Sequence, residues 1–399
     1  CGQQQKAGRA ECGPCGHSGT HREKVLNTQV ESWGSEEMEL YEKLKEVCRL
    51  FQIGDTFLGF ETIQMGNINQ TYKVNFQLPD GSLKSCLVQN VNTYAFRDPV
   101  GLMENIDLVT EHIRAKCPGQ LCLHFYHTAD RKTFLAEGDN FWRMTNFIPS
   151  VTYNSVQDPK VIRNAGGAFG DFQRQLSDFD ISLLHETIPN FHNTRSRYEN
   201  LRQAISENKV GRLDEVRDDL RYVMEVEDIA CTLTDLQAAG KLPLRVTHND
   251  TKINNVLFDP ADNRALAVVD LDTVMPGLVG HDFGDAIRFA ANEVEEDCPE
   301  AEKAKLDLDV FSAFAEGFLE KTADTLTEEE IRTLPISCFC MTAEVAVRWL
   351  EDYLRGDPYF KIRNPRHNLQ RARCQIALCR DMLKKQDAME AIVRRCISR

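Results

Sequence analysis

The sequence lacks any run of about 18 consecutive apolar residues, the length that a helix needs to cross a membrane. Its beginning also lacks the short apolar core of a secretory signal. The 14 cysteines are scattered along the chain, and without such a signal we expect them to be reduced thiols. Together these absences predict a cytoplasmic protein without a membrane partner.

Positive charge is also scarce, because 47 lysine and arginine residues stand against 61 aspartate and glutamate residues. The formal net charge of −14 makes nucleic acids and anionic membrane surfaces unfavourable partners. No internal repeat stands out, and no segment indicates an obligate protein partner. At 399 residues the chain is too long for one small core, so two lobes or domains are expected.

The first 34 residues contain a cysteine pair, Cys12-Gly13-Pro14-Cys15, with the spacing of a redox or zinc motif. A zinc site of this kind needs a second pair, which the sequence lacks, and His17 and His21 offer only a weak substitute. The surrounding segment is rich in glycine and glutamine, and no strand precedes the pair. Residues 1–34 are therefore predicted to be a flexible extension.

Residues 35–148 have the pattern of a lobe built on a sheet. Apolar spacing predicts a helix over 35–51, and Asp98-Pro99 opens a second helix that ends at Pro118-Gly119. Extended segments are predicted at 60–64, 71–77, 86–91, 121–127, 133–137 and 141–148. We expect a five-stranded antiparallel sheet with one helix inserted after the third strand.

Helical patterns dominate residues 149–399. Helices are predicted at 159–176, 195–208, 215–239, 283–292, 307–323, 328–355 and 366–397. The short strand Leu244–Thr247 interrupts them, and the acidic run 293–302 is predicted to be a solvated surface loop. A sheet followed by helices predicts an α+β, two-lobed protein with a ligand cleft between the lobes.

One polar stretch stands out, His248-Asn249-Asp250-Thr251-Lys252-Ile253-Asn254-Asn255, and an apolar strand after it ends at Asp270. Transfer of a phosphoryl group to a hydroxyl needs a base aimed at the acceptor and oxygen ligands for Mg²⁺. Asp250 is the candidate base, and Lys252 is placed to reach the γ-phosphate. Asn255 and Asp270 are the candidate metal ligands. The spacing predicts a phosphotransferase that uses ATP and Mg²⁺, since an ordinary polar turn would leave four suitable side chains unexplained.

The nucleotide is expected to lie under the turn Met65-Gly66-Asn67-Ile68-Asn69-Gln70, between the first two strands of the sheet. Gly66 is the one glycine of this turn, so a plain polar hairpin is the alternative interpretation. Gly66 and Asn67 are the predicted nucleotide-contacting residues of the turn. Main-chain groups where the sheet ends, near Asn146 and Phe147, are predicted to contact the adenine.

Several neighbouring side chains are predicted to support the motif. His248 is expected to hold the loop by hydrogen bonds rather than to act as a base. Asp272 is a candidate outer carboxylate of the metal site. Asp282 and Asp285 are expected to brace the loop, and Asp282 to cap a helix.

The string Thr247-His248-Asn249-Asp250, with Asp270 twenty residues on, resembles the aminoglycoside phosphotransferase and choline kinase superfamily. These are small-molecule kinases with a protein-kinase-like fold. Longer strings are similar to the N-acetylhexosamine 1-kinases of that superfamily, at 167–173, 245–252, 269–277, 282–289 and 352–357. The similarity covers roughly residues 36–396.

The resemblance implies transfer of the γ-phosphate of ATP to the anomeric C1 hydroxyl of N-acetylglucosamine or N-acetylgalactosamine. Asp250 matches the family's catalytic base, and Asn255 and Asp270 match its Mg²⁺ ligands. Positions that face the sugar in that family are matched by Thr273, Arg348 and Tyr359.

The residues alone leave the role of Arg348 open, because it lies in the apolar helical segment Val345–Leu350. A charge in such a place either belongs to a structural ion pair or points into a cleft. The resemblance favours the second interpretation, sugar recognition.

The chain departs from related kinases at two positions. Asn67 stands where they have a histidine, and an amide cannot become a cation. Gln89 stands where protein kinases keep a lysine for the phosphates. Because the sugar kinases tolerate an uncharged residue there, charge neutralisation is expected to depend more on Mg²⁺ and Lys252.

Two alternatives stay open at this point. One is a kinase for another small hydroxyl compound of the aminoglycoside, choline or homoserine type, for which the acidic run 293–302 would offer a cation-binding cluster. The other is a pseudokinase that senses sugar or nucleotide without catalysis, although the intact motif argues against it.

Overall fold

The computed structural model describes residues 34–53, 56–63, 68–156 and 158–398. The cysteine pair at 12–15, His17, His21, Gly66 and Asn67 lie outside the described residues, so what was predicted for them stays a prediction. No helix in the described ranges is long and apolar enough to cross a membrane. The cysteines within these ranges are free thiols.

A five-stranded sheet forms the N-terminal lobe. Its strands are β1 (Thr56–Ile63), β2 (Gln70–Gln77), β3 (Leu83–Asn90), β4 (Phe134–Glu137) and β5 (Asn140–Asn146). All neighbours pair antiparallel in the order β1-β2-β3-β5-β4. Helix α1 (Ser35–Leu50) packs its buried side chains on this sheet, and α2 (Pro99–Lys116) follows β3. The predicted antiparallel sheet with one inserted helix is confirmed.

One predicted strand of this lobe is wrong. Residues 121–127 run beside β5 but make a single bridge, between Phe125 and Thr145. The Asn146 side chain explains the difference, because it bonds to the main chain on this segment. It accepts from the His124 N–H at 2.9 Å and donates to the Cys122 carbonyl at 3.1 Å.

Helices make up most of the C-terminal lobe. They are α3 (Pro159–Gln175), α4 (Thr194–Glu207), α5 (Arg217–Glu225), α6 (Glu227–Ala230), α7 (Thr232–Ala238), α8 (Val279–Ala290), α9 (Leu308–Thr322), α10 (Glu328–Arg355) and α11 (His367–Ile397). Two small antiparallel sheets join β6 (Arg245–Thr247) to β9 (Met275–Gly277) and β7 (Val256–Phe258) to β8 (Ala265–Val268). The α+β, two-lobed fold class is confirmed.

Two helices differ from their predictions. The segment 215–239 forms three short helices, because the chain turns at Val226 and Cys231, whose buried side chains pack against α10. Helix α8 begins at Val279, before Asp282, so Asp282 lies within it and caps nothing. Its carboxylate instead accepts hydrogen bonds from the main-chain N–H groups of His248 and Asn249.

The two lobes share an apolar core. Leu102 and Ile106 of α2 are buried together with Leu271 and Val274, which follow the candidate metal ligand Asp270. The amide of Asn105, also on α2, donates to the Val274 carbonyl at 2.9 Å. Helix α2 therefore fixes the segment after Asp270 against the N-terminal lobe.

Candidate active site

The candidate site is built on the paired strands β6 and β9. Thr247 is the register partner of Met275, so the residues beyond each strand meet at one end of the pair. Thr273 donates its hydroxyl proton to the His248 carbonyl at 2.6 Å, and Asn249 donates from Nδ2 to the Thr273 carbonyl at 2.9 Å. These bonds join residues 248–255, called the catalytic loop below, to the segment that carries Asp270.

The backbone turns sharply at Asn249, which precedes Asp250, and at Asp270 itself. Asn249 has φ of 64° and Asp270 has φ of 61°, in the left-handed region. Asparagine and aspartate tolerate this region better than other L-residues, and such conformations often occur at functional sites.

Asp282 braces the catalytic loop from below. Its carboxylate accepts from the main-chain N–H groups of His248 at 3.0 Å and Asn249 at 2.8 Å, and from Gln173 Nε2 at 2.7 Å. Burial raises the pKa of Asp282. The predicted bracing role is confirmed, whereas the predicted helix cap is wrong.

His248 holds the loop through both ring nitrogens. Nε2 lies 2.8 Å from the Val269 carbonyl and therefore donates, and Nδ1 accepts from the Asp250 N–H at 3.3 Å. The ring is buried. This pattern fits one neutral tautomer and leaves no nitrogen for proton transfer to a substrate, as the sequence predicted.

The side chains predicted to carry the chemistry lie together. Lys252 Nζ is 2.8 Å from Asp250 Oδ1, and Asn255 Nδ2 donates to the Asp250 carbonyl at 2.8 Å. Burial opposes the charge on Lys252, but attraction by Asp250 and Asp285 raises its pKa above the usual value. Lys252 is therefore a cation at neutral pH.

Asp270 lies two residues after the end of strand β8 and is exposed to solvent. Desolvation of its carboxylate by the surrounding protein, with repulsion from Asp272 and Asp250, raises the pKa of Asp270 to about 6. A divalent cation bound among these carboxylates would offset their mutual repulsion.

The residues present fit Mg²⁺. The described residues hold no group of three or more histidine, cysteine, aspartate or glutamate side chains arranged for a metal. Mg²⁺ in phosphoryl-transfer sites needs only one or two carboxylates, because phosphates and water supply the other ligands. Asn255 turns its amide nitrogen to the Asp250 carbonyl, which leaves its Oδ1 for a cation beside Asp270.

Gln89 belongs to a network that the sequence did not predict. Its Nε2 donates to Thr71 at 3.0 Å, and its Oε1 accepts from Arg143 Nε at 2.9 Å. Arg143 is buried and forms an ion pair with Asp272, which also accepts from Asn69 Nδ2 at 2.7 Å. A single arginine in the apolar strand Phe141–Met144 was the one sequence signal for it.

The two residues predicted to lie beside the adenine differ in their surroundings. The Asn146 side chain is committed to the segment 122–124, so only its main chain is left for a nucleotide. Phe147 is partly buried, and the Lys73 ammonium lies 4.9 Å from the centre of its ring. Their contact with adenine stays a prediction.

Arg348 lies between two aromatic rings, 5.5 Å from the centre of Phe191 and 5.7 Å from that of Phe360. Within the described part of the chain no carboxylate comes within ion-pair distance of it, which argues against a structural ion pair. Tyr359 is 73% exposed and packs edge-on against Phe360. Arg348 and Tyr359 thus share one aromatic wall, while the Thr273 hydroxyl is bound to the catalytic loop.

A second arginine lies beside Arg348, and the sequence did not predict a role for it. Arg197 donates from one terminal nitrogen to the Phe191 carbonyl at 2.7 Å, and its buried Nε has no hydrogen-bond partner among the described residues. Burial and repulsion from Arg348 lower its pKa. Arg197 bonds to the carbonyl of Phe191 and Arg348 lies over its ring, so the two guanidinium groups are neighbours.

His192 connects the aromatic wall to the catalytic loop. Its Nδ1 lies 2.8 Å from Glu344 Oε1, and its Nε2 lies 3.2 Å from the Asn249 carbonyl. Glu344 is one helical turn before Arg348 on α10. Arg348 and Arg197, with the rings of Phe191 and Phe360, are called the arginine wall below. A short chain of contacts through Glu344 and His192 links this wall to the main chain next to Asp250.

Asp250, Lys252 and Asn255 of the catalytic loop lie with Asp270 in one polar cluster, the arrangement expected of a phosphotransferase. The sequence profile of the phosphotransferase enzyme family (APH) matches residues 115–315. The chain belongs to this family.

Solved structures share the fold. An ethanolamine kinase of Plasmodium vivax is 14% identical with a TM-score of 0.56, over 90% of this chain and 95% of that one. An amicoumacin kinase in complex with AMP-PNP, Ca²⁺ and Ami is 14% identical with a TM-score of 0.54, over 88% and 95%. A choline kinase of Cryptosporidium parvum Iowa II is 12% identical with a TM-score of 0.52, over 90% and 99%. At these identities the likeness shows the fold alone.

Proposed function

We propose that this protein transfers the γ-phosphate of ATP to the anomeric C1 hydroxyl of an N-acetylhexosamine, giving the sugar 1-phosphate and ADP. The observation that carries the kinase chemistry is the Asp250–Lys252 pair at 2.8 Å, with Asn255 bonded to Asp250 in the same loop. The strings shared with N-acetylhexosamine 1-kinases support the acceptor.

Asp250 is the proposed base. Its Oδ1 is paired with Lys252, and its side chain is partly open to the cleft. The acceptor hydroxyl would donate to this carboxylate, which orients the oxygen and takes its proton as the new bond to phosphorus forms. The Lys252 cation then lies where negative charge moves during the transfer.

Asn255 and Asp270 would hold Mg²⁺, through the free Oδ1 of the amide and the carboxylate. When bound, the cation would offset the negative charge of the donor phosphates. An amicoumacin kinase with this fold was solved in complex with AMP-PNP and Ca²⁺, which supports a nucleotide and a divalent cation as ligands of this chain.

The arginine wall supports a neutral acceptor that is rich in hydroxyl and carbonyl oxygens. Arg348 and Arg197 present N–H donors, and a guanidinium group donates several hydrogen bonds in a fixed plane. Two neighbouring cations, of which the ionised Glu344 offsets one, disfavour an ammonium-bearing acceptor such as choline or an aminoglycoside. We propose that Arg348, Tyr359 and Thr273 contact the sugar, with Arg197 behind Arg348.

The acidic run 293–302 gives little support to a cationic acceptor. Glu296 is paired with Arg288, and Asp297 lies 3.0 Å from both Arg363 and His367. These carboxylates already have positive partners within the protein.

An acceptor panel tests the proposal. ADP release would be measured with N-acetylglucosamine, N-acetylgalactosamine, choline, ethanolamine, homoserine and an aminoglycoside, and phosphorus NMR would identify the product. We expect an anomeric phosphate from an N-acetylhexosamine. The methyl glycoside of the same sugar is the matched control, because its C1 oxygen cannot accept a phosphoryl group.

Two outcomes would contradict the proposal. Phosphorylation of choline, an aminoglycoside or the methyl glycoside, with no anomeric phosphate from the free sugars, would assign another acceptor. A thermal shift with ATP but no ADP with any acceptor would support a pseudokinase.

A further inference from the structure

Gln89 and Arg143 occupy one place on the sheet. They are direct register partners of β3 and β5, so their side chains lie on the same face of the sheet. Gln89 stands roughly where protein kinases carry the lysine that binds the nucleotide phosphates. Arg143 therefore brings a positive charge to the position from which that lysine is missing.

We propose that Arg143 binds the phosphates of the nucleotide and supplies, from β5, the cation that protein kinases supply from β3. The inference rests on the proposed function, because it takes ATP as the phosphoryl donor.

The contacts of Arg143 direct it from the sheet toward the candidate metal site. Its Nε donates to Gln89, and its Nη1 forms the ion pair with Asp272. Asp272 is two residues beyond the candidate Mg²⁺ ligand Asp270. The guanidinium group thus lies between the strand that covers the phosphates in kinases and the residues that would hold the cation.

Arg143 also has donor capacity for a phosphate. Arg143 donates hydrogen bonds to described residues from Nε and Nη1. Its Nη2 makes none with them and is available to a phosphate. Its ion-pair partner does not depend on it alone, because Asn69 donates to the second oxygen of Asp272 at 2.7 Å. Asn69 itself is held by the Asn92 N–H at 3.0 Å. Arg143 can therefore share its charge with a phosphate without leaving Asp272 unpaired.

The charges of the cleft give a reason for a second cation. Asp250, Asp270 and Asp272 outnumber Lys252, which alone would leave two negative charges where a polyanion must bind. Arg143 removes one of them before any metal enters. A guanidinium group is suited to this task, because it stays protonated and matches phosphate oxygens in two-point contacts.

The inference is tested by comparing ATP with adenosine. Arg143→Gln should weaken Mg·ATP binding at least tenfold by calorimetry, as expected for the loss of a charge-assisted hydrogen bond, and leave adenosine affinity unchanged. The double variant Gln89→Lys with Arg143→Gln moves the cation to β3 and should recover much of the lost ATP affinity. Equal Mg·ATP affinity of Arg143→Gln and wild type would overturn the inference.

Arg245→Gln is the matched control for destabilisation. Arg245 is also an arginine that pairs with a buried carboxylate, Glu330, and it faces helix α10 rather than the cleft. Its replacement should lower the melting temperature but keep the ATP affinity of the folded protein. If both variants changed ATP and adenosine affinity alike, Arg143 would be structural and the inference would fail.

A measurement on the wild-type protein keeps the test valid if Arg143→Gln does not fold. The Nε–H resonance of Arg143, assigned by its loss in Arg143→Lys, should shift when Mg·AMP-PNP binds and stay in place with adenosine. No shift with bound Mg·AMP-PNP would overturn the inference. A wild-type protein that binds no Mg·ATP at all would instead reject the proposed function.

Discussion

Lys252 Nζ lies 2.8 Å from Asp250 Oδ1, so the proposed base and the proposed phosphate cation are already in contact across one intervening residue. Both side chains are about one-third exposed, at 31% and 33%, so this pair contributes little to folding stability. The contact instead fixes the direction of the carboxylate. Its second oxygen lies 3.5 Å from Asn255 Nδ2 and keeps a further lone pair for an acceptor hydroxyl.

Asp250→Asn should therefore abolish most turnover while the protein stays folded. We expect a loss of about two to four powers of ten in kcat, because the amide neither accepts the proton nor holds Lys252 by charge. Turnover and melting temperature would be measured together. Asp228→Asn, at a side chain that is 96% exposed, is the control and should keep both. Near-normal turnover of Asp250→Asn would remove the base assignment.

Asp270→Ala should remove the metal dependence of nucleotide binding. Wild-type protein should bind ATP more tightly with Mg²⁺ than with a chelator present, and the variant should show no such difference. Calorimetry with ATP in both conditions measures this, and adenosine serves as the ligand whose affinity should not change. An unchanged Mg·ATP affinity would show that Asp270 is not a metal ligand.

The local motif was predictable and the surrounding charges were not. Asp250, Lys252 and Asn255 lie within six residues, so their types and spacing carry the chemistry. Arg143 meets Gln89 only through a register between strands 54 residues apart, which a single sequence does not specify.

A single sequence likewise does not specify the contacts of the acceptor-binding residues or the fate of the predicted strand 121–127. Arg197 lies on α4 and Arg348 on α10, and only the packing of these helices brings both to Phe191. The side-chain bonds of Asn146 convert a predicted strand at 121–127 into a loop. Such bonds connect distant segments, so apolar periodicity gives no sign of them.

Arg348→Ala and Arg197→Ala should each weaken binding of the acceptor without affecting binding of the nucleotide. We expect the KM for the sugar to rise about tenfold to a hundredfold in Arg348→Ala, which removes charge-assisted donors. The rise should be smaller in Arg197→Ala, because Arg197 lies behind Arg348, and the KM for ATP should stay constant in both variants. Arg202→Ala, on the same helix as Arg197 but half exposed, is the control and should leave both values unchanged. A rise in the ATP value alone would place the two arginines outside the acceptor site.

Glu344→Gln should give a stability difference that depends on pH. Burial opposes the charge on Glu344, but attraction by His192, Arg348 and Arg197 lowers its pKa to about 2, below the ordinary 4.5. A lowered folded-state pKa stabilises the protein above pH 4.5, and this stabilisation is lost as the pH falls toward 2.

The variant should therefore be less stable than wild type at pH 7, and the difference should shrink below about pH 4.5. Urea unfolding between pH 7 and pH 3.5 measures it. A difference that stays constant over this range would show that Glu344 is not held ionised by its neighbours.

Two adjacent glycines of α3 should respond in opposite ways to alanine. A Cβ on Gly166 would lie 2.2 Å from the Phe314 carbonyl oxygen of α9, a main-chain atom that cannot move away cheaply. A Cβ on Gly167 would lie 3.8 Å from the Gly317 carbonyl oxygen, an ordinary contact. Gly166→Ala should destabilise the protein by about 1–3 kcal/mol or more, because it forces α3 and α9 apart.

Gly167→Ala should be neutral or stabilising by up to about 1 kcal/mol, because alanine favours a helix more than glycine does. Both variants replace glycine with alanine at adjacent positions of the same helix. Urea unfolding of both therefore isolates the effect of the close helix contact. Because α3 also carries Gln173, which bonds to the bracing Asp282 at 2.7 Å, Gly166→Ala should lower turnover as well as stability. Equal stabilities of the two variants would contradict the close packing of α3 on α9.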